Sequence, residues 1–137
     1  MKHIFALIIL IGFYSDSFSQ KFGEKDLYGN WRVEEIIEKP TNPQFVPLIS
    51  GFENSTFIFK QNGDFVLNAT SKSELFGMII KMTKGTKWIF EKGKQFVKIG
   101  NKDNGYSVMG IEISEVNGVK IFYLDESGIK LKMNKTE

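Results

Sequence analysis

Cysteine is absent from this chain. That excludes a disulfide framework, the usual support of small exported domains, and it excludes a lipid anchor, which needs a cysteine at the cleavage site. Histidine occurs once, at position 3, and arginine once, at position 32. His3 falls in a segment expected to be removed, so the mature domain lacks the usual ligands of zinc and copper and the usual bases of nucleophile–base triads. The expectation is a protein that is not an enzyme, with no catalytic residues, no metal and no cofactor. Neither sign of charge dominates: the net charge is +2, which argues against nucleic acid as a partner. A long apolar run is also missing. The one uncharged stretch, Ile4 to Tyr14, is eleven residues, whereas a helix needs roughly twenty to cross a bilayer.

That stretch reads instead as the core of a secretory signal peptide. Met1-Lys2-His3 is a short positive start, and Ser15 to Ser19 is a small, polar end. Ser17 and Ser19 fit a small-x-small cleavage site. The expected organisation is a signal peptide at 1–19, cleaved after Ser19, and one domain at 20–137. It implies a periplasmic or secreted protein with no stable membrane insertion after cleavage, and a monomer.

Aromatic residues are plentiful, with 13 phenylalanines among them. Such side chains suit a small domain that relies on its core alone. Along the mature chain, short apolar runs alternate with turn signals every 8–12 residues, the spacing of a sandwich or barrel. Tyr28 to Glu38 reads as a first strand, with Trp31, Val33 and Ile37 on one face. Glu35 breaks that face, which predicts a bulge there or an inward carboxylate. Pro40, Pro43 and Pro47 make 39–53 a loop with at most a helical turn. Further strands are expected at Thr56–Lys60, Phe65–Thr70, Leu75–Thr83, Lys87–Glu91, Gln95–Ile99, Tyr106–Glu115, Val119–Leu124 and Ile129–Met133. Asn62-Gly63 and Asn117-Gly118 are tight hairpin signals. In the Val119–Leu124 strand, Val119, Ile121 and Tyr123 share a face. The connections are too short for parallel crossovers. The fold class expected is therefore all-β: an antiparallel up-and-down meander closing into a barrel of about eight or nine strands, which hides its edges.

Gly29-Asn30-Trp31 on the first strand resembles the Gly-x-Trp signature of the lipocalins and the wider calycin superfamily. Thr56 to Phe65 is similar to the second hairpin of bacterial lipocalin-like domains. Gly85-Thr86-Lys87-Trp88 with Phe96 to Ile99 resembles their middle hairpin, and Ile129 to Met133 their closing strand. The leader ending in Ser-Gln resembles those of exported Bacteroidota proteins. The resemblance covers residues 24–135. It implies binding of a small hydrophobic or amphipathic molecule in the barrel, without chemistry. The residues expected to line it are Trp31, Phe57, Phe59, Phe65, Leu67, Trp88, Phe90, Tyr106, Ile121 and Tyr123. In lipocalins an arginine from the last strand covers the signature tryptophan. Arg32 sits beside that Trp, so Lys130 or Lys132 is expected to substitute, with Gly29 and Trp31 completing the barrel-closing motif. A second reading of the same aromatic set stands beside the first: a filled core with no ligand cavity, serving an envelope protein- or glycan-interaction module through the outer face or loops 39–53 and 101–105.

Other patterns have structural explanations. Adjacent strand residues point to opposite faces, so Glu34 and Glu35 do not share a site, and Asp125-Glu126 occupies a turn. From Lys81 to Lys102 there are seven lysines against Glu91 alone. Solvated strand faces account for such a run, and attraction to an anionic lipid, polysaccharide or acidic partner is the functional alternative. Asn54-Ser55-Thr56, Asn68-Ala69-Thr70 and Asn134-Lys135-Thr136 match the glycosylation pattern, and the bacterial source that the resemblance implies makes them chance matches.

Overall fold

The structure, a computed structural model, describes residues 21–136. The expected signal peptide and its cleavage site lie outside these residues. Eight antiparallel strands form one sheet: β1 (Gly29–Glu38), β2 (Thr56–Phe59), β3 (Phe65–Asn68), β4 (Lys87–Glu91), β5 (Phe96–Gly100), β6 (Met109–Val116), β7 (Val119–Leu124) and β8 (Ile129–Lys135). Their order, β3-β2-β1-β8-β7-β6-β5-β4, is a meander whose first strand pairs with its last. The sheet curls into a nearly closed barrel. Its ends meet only where β3 and β4 begin: the Phe65 N–H donates to Thr86 O at 3.0 Å, and the Trp88 N–H to Gly63 O at 2.9 Å. An Asp64–Lys87 ion pair sits on that seam.

Two helices accompany the strands, α1 (Val46–Glu53) and α2 (Glu74–Thr83). The expectation of a strand at Leu75–Thr83 is corrected here, and the eight strands that remain are within the eight or nine expected. An apolar run of this length has no decisive period. Its start settles the matter: the Ser73 hydroxyl accepts the Phe76 N–H at 3.2 Å and Glu74 follows in the first turn, an N-cap that a strand does not need. The loop expected at 39–53 is corrected as well: it holds a 3₁₀ turn at Pro43–Phe45 and the eight-residue helix α1, with Pro47 in the first turn of α1, where its missing N–H costs no hydrogen bond.

The first strand is bulged, as its sequence suggested. Pairing with β8 shifts between Val33 and Glu35 and again between Ile36 and Glu38. Glu34 and Glu35 are both exposed, and Ile36, not Ile37, packs against the core with Trp31 and Val33. A further face is reversed in β7. The two-residue turn Asn117-Gly118 sets Ile113 opposite Phe122 and Ile111 opposite Leu124, so Phe122 and Leu124 point inward. Ile121 and Tyr123 alternate with them on the outside, half-exposed.

Rings fill the barrel. Trp31 meets Phe122 at 5.3 Å between centroids, Phe122 meets Phe57 at 5.8 Å, Phe59 meets Phe65 at 5.4 Å, and Phe59 meets Trp88 at 5.2 Å. These are ordinary tilted and edge-on separations for packed aromatic pairs. Trp31, Phe57, Phe59 and Phe122 are fully buried.

Candidate functional site

The two ends of the barrel differ. One end is plugged by the chain that precedes β1. Phe22 lies at 6.3 Å from Trp31, and its backbone is held by Gln95, whose side chain accepts the Phe22 N–H at 2.6 Å and donates to Phe22 O at 3.0 Å. The Trp31 indole N–H donates to Leu27 O at 2.9 Å. Lys135 lies over the Trp31 ring, 5.6 Å from its centroid, and donates to Asp26 O at 3.0 Å. Gly29, with φ of 121°, supplies the turn into β1 that a side chain would oppose. The barrel-closing cation is thus Lys135 and not Lys130 or Lys132. Ile129, Leu131 and Met133 point inward, so the inward alternation reaches 135, while Lys130 and Lys132 are half-exposed on the other face. Lys130 instead lies 5.9 Å from the outward Tyr123 ring and 3.4 Å from Glu38.

The other end is a mouth, covered in part by the helices. Phe52 of α1 enters it, 4.8 Å from Phe76 of α2 and 6.2 Å from Phe57 of the barrel. Gly51 permits this approach, because a Cβ there would fall 2.2 Å from the Phe76 ring. Between the helices and the strand ends lies a cleft of about 320 Å³. Leu48, Phe52, Ile79, Met109, Leu124 and Ile129 form its apolar floor and walls. Ser107, Asp125, Glu126 and Ser127 form its rim, with no basic side chain among the lining residues. The rim is held by its own hydrogen bonds: the Ser127 hydroxyl donates to Leu124 O at 2.5 Å and accepts the Ile129 N–H at 3.0 Å, and the Asp125 N–H donates to Gly110 O at 2.9 Å.

Of the ten residues expected to line a ligand cavity, Trp31, Phe57, Phe59, Phe65, Leu67 and Trp88 are buried in the barrel, where they pack among the other core side chains. Phe90 is half-buried against that core. Ile121 and Tyr123 are on the outer face, for the reason of register given above. Tyr106 is half-buried in the turn that follows Lys102–Asn104, with φ of 57°, because β6 starts only at Met109. The interior leaves no buried side-chain N or O without a partner among the described residues. Its buried hydroxyls are internal: Ser55 donates to Phe52 O at 2.9 Å, Thr83 to Ile79 O at 3.0 Å, and Thr86 to Thr83 O at 2.6 Å. A ligand chamber usually presents a few polar groups to orient its guest. The mouth cleft presents them, on the Asp125–Ser127 turn. Sequence reasoning treated that turn as structural and missed its place beside Met109 and Leu48, which are remote in the chain.

No protein-family model, no curated protein and no solved structure matches this chain.

Proposed function

We propose that this chain is an exported, lipocalin-like, non-catalytic binding protein whose site is the mouth cleft. The carrying observation is the contrast between a ring-packed barrel and a cleft at its rim with an apolar floor and a polar edge. Pockets for small molecules start near 300 Å³ and combine apolar walls with a few fixed polar groups. The ligand class follows from the lining. Leu48, Phe52, Ile79, Met109 and Leu124 accept a short apolar body, and Asp125 and Glu126 favour a neutral or cationic head over an anionic one. Binding buries the body without chemistry, consistent with a chain whose single histidine is His3 and which has no cysteine.

Octylamine, octanol and octanoate share one chain length and differ in head charge. Titrated calorimetrically, octylamine and octanol are expected to bind and octanoate to bind more weakly. Met109→Arg places a charge in the apolar lining and is expected to weaken octanol binding by about tenfold or more. No binding of any of the three rejects this reading in favour of a filled-core interaction module, and octanol binding unchanged in Met109→Arg rejects the cleft and returns the ligand to the barrel.

A further inference from the structure

Helix α2 is apolar on two sides. Phe76, Ile79, Ile80 and Thr83 are buried or half-buried against the rest of the fold. An adjoining, solvent-facing side carries Leu75, Met78 and Met82, which are 38%, 59% and 54% exposed. Their three- and four-residue spacing makes one continuous stripe. A solvent-facing helix surface ordinarily carries charge there. In this helix the charge stands at the margins: Lys81 beside the stripe, Lys72 before the helix and Lys84 after it, against the single acid Glu74. None of these three lysines is in an ion pair among the described residues.

We propose that this face of α2 docks on the surface of an anionic lipid bilayer. Leu75, Met78 and Met82 enter the headgroup–acyl boundary, and Lys72, Lys81 and Lys84 meet lipid phosphates. Three features select this occupant. A second copy of the chain docked symmetrically on the stripe would set these lysines against their own equivalents, like charge against like. Lys81 beside the stripe and Lys72 and Lys84 at its two ends complement a surface that is anionic all round the apolar contact. Unbranched methionine side chains adapt to a fluid phase. The helix lies on the membrane and does not span it: ten residues rise about 15 Å, half of a bilayer core. This inference does not depend on what the mouth cleft binds.

The cysteine-free sequence gives a local test. In the full chain, Met78→Cys labelled with nitrobenzoxadiazole reports from the stripe alone, so the apolar segment at 4–14 does not enter the signal. Vesicles of phosphatidylcholine containing one quarter phosphatidylglycerol are expected to raise and blue-shift its emission, while vesicles of phosphatidylcholine alone leave it nearly unchanged. The same label at Val116→Cys, an exposed apolar position on the opposite hairpin, is expected to stay silent. Adding Lys81→Glu and Lys84→Glu to the labelled chain should raise the anionic-vesicle concentration for half response by on the order of tenfold or more. The proposal is overturned by a silent label at 78, by equal responses to neutral and anionic vesicles, by equal responses at 78 and 116, or by a vesicle-independent, protein-concentration-dependent shift that reports self-association.

Discussion

Lys135 has the clearest single-residue role in the barrel. It lies over Trp31 and ties the strand end to Asp26 O, so one side chain joins the last strand, the first strand and the leader that plugs the base. Lys135→Ala is expected to lower stability by about 0.5–1 kcal/mol, the size of a partly exposed cation–π contact. Lys132→Ala, on the outer face, should stay within about 0.5 kcal/mol of the parent. Urea midpoints at unchanged slope distinguish the two, and equal effects would contradict the assignment. Gly51 governs the other end. Its Cβ would overlap the Phe76 ring at 2.2 Å, and that ring is buried against Phe52. Gly51→Ala should therefore cost about 1–3 kcal/mol, the usual range for overpacking, and should increase hydrogen exchange in both helices before the strands.

At the scale of elements, α2 and the seam carry the predictions. Gly77 lies inside α2 with nothing within 4 Å of a Cβ placed there. Gly77→Ala should therefore stabilise the fold by about 0.5–1 kcal/mol, through helix propensity alone. A destabilised Gly77→Ala variant would mean that the 74–83 segment is not helical. The seam predicts a pH effect. The hydrogen bond from Lys87 holds the Asp64 carboxyl below its ordinary range, a shift only partly opposed by desolvation. With the folded value depressed, the pair's contribution is present above the ordinary carboxylate range and is lost as pH falls through the lowered folded value. Both groups are well exposed, so the global effect is small. The local readout is the amide protection of Phe65 and Trp88, taken relative to intrinsic exchange at each pH, which should fall on acidification in the parent and not in Asp64→Asn. Identical acid profiles would remove the pair from the seam.

These elements also show what the sequence made legible. The hairpins at Asn62-Gly63 and Asn117-Gly118 and the bulge near Glu35 follow from local turn chemistry and a broken alternation; the structure has the bulge and both hairpins, but only Asn117-Gly118 makes the two-residue turn with positive φ at both positions, while Asn62-Gly63 lies in a longer turn closed by the Lys60 N–H donating to Asp64 O. The strand reading of 75–83 fails because Leu75, Met78 and Met82 are apolar on the outer side, which erases the helical period. The cap at Ser73-Glu74 was the available signal. The reversed face of β7 has a different cause. Ile121 and Tyr123 are as apolar as Phe122 and Leu124, so pattern gives no direction, and only pairing with β6 decides. The mouth cleft was illegible because Leu48, Ile79, Met109 and Ser127 come from four separate segments.

At the scale of the whole molecule, the proposed function gives the aromatic interior and the mouth different tasks. Rings running from Phe22 at the base through Trp31, Phe122 and Phe57 to Phe52 and Phe76 form a continuous packed column. That column supplies, without disulfides, the core a domain of this size needs. The proposed recognition falls to the rim, where two helices and the turns before β6 and β8 converge. The most direct measurement is a two-dimensional amide NMR titration with octanol. The account predicts shifts confined to Leu48, Ile79, Met109, Gly110, Ser127 and Ile129, with Trp31, Phe59 and Phe122 unmoved. Shifts centred on those interior residues would contradict it and return the ligand to the barrel.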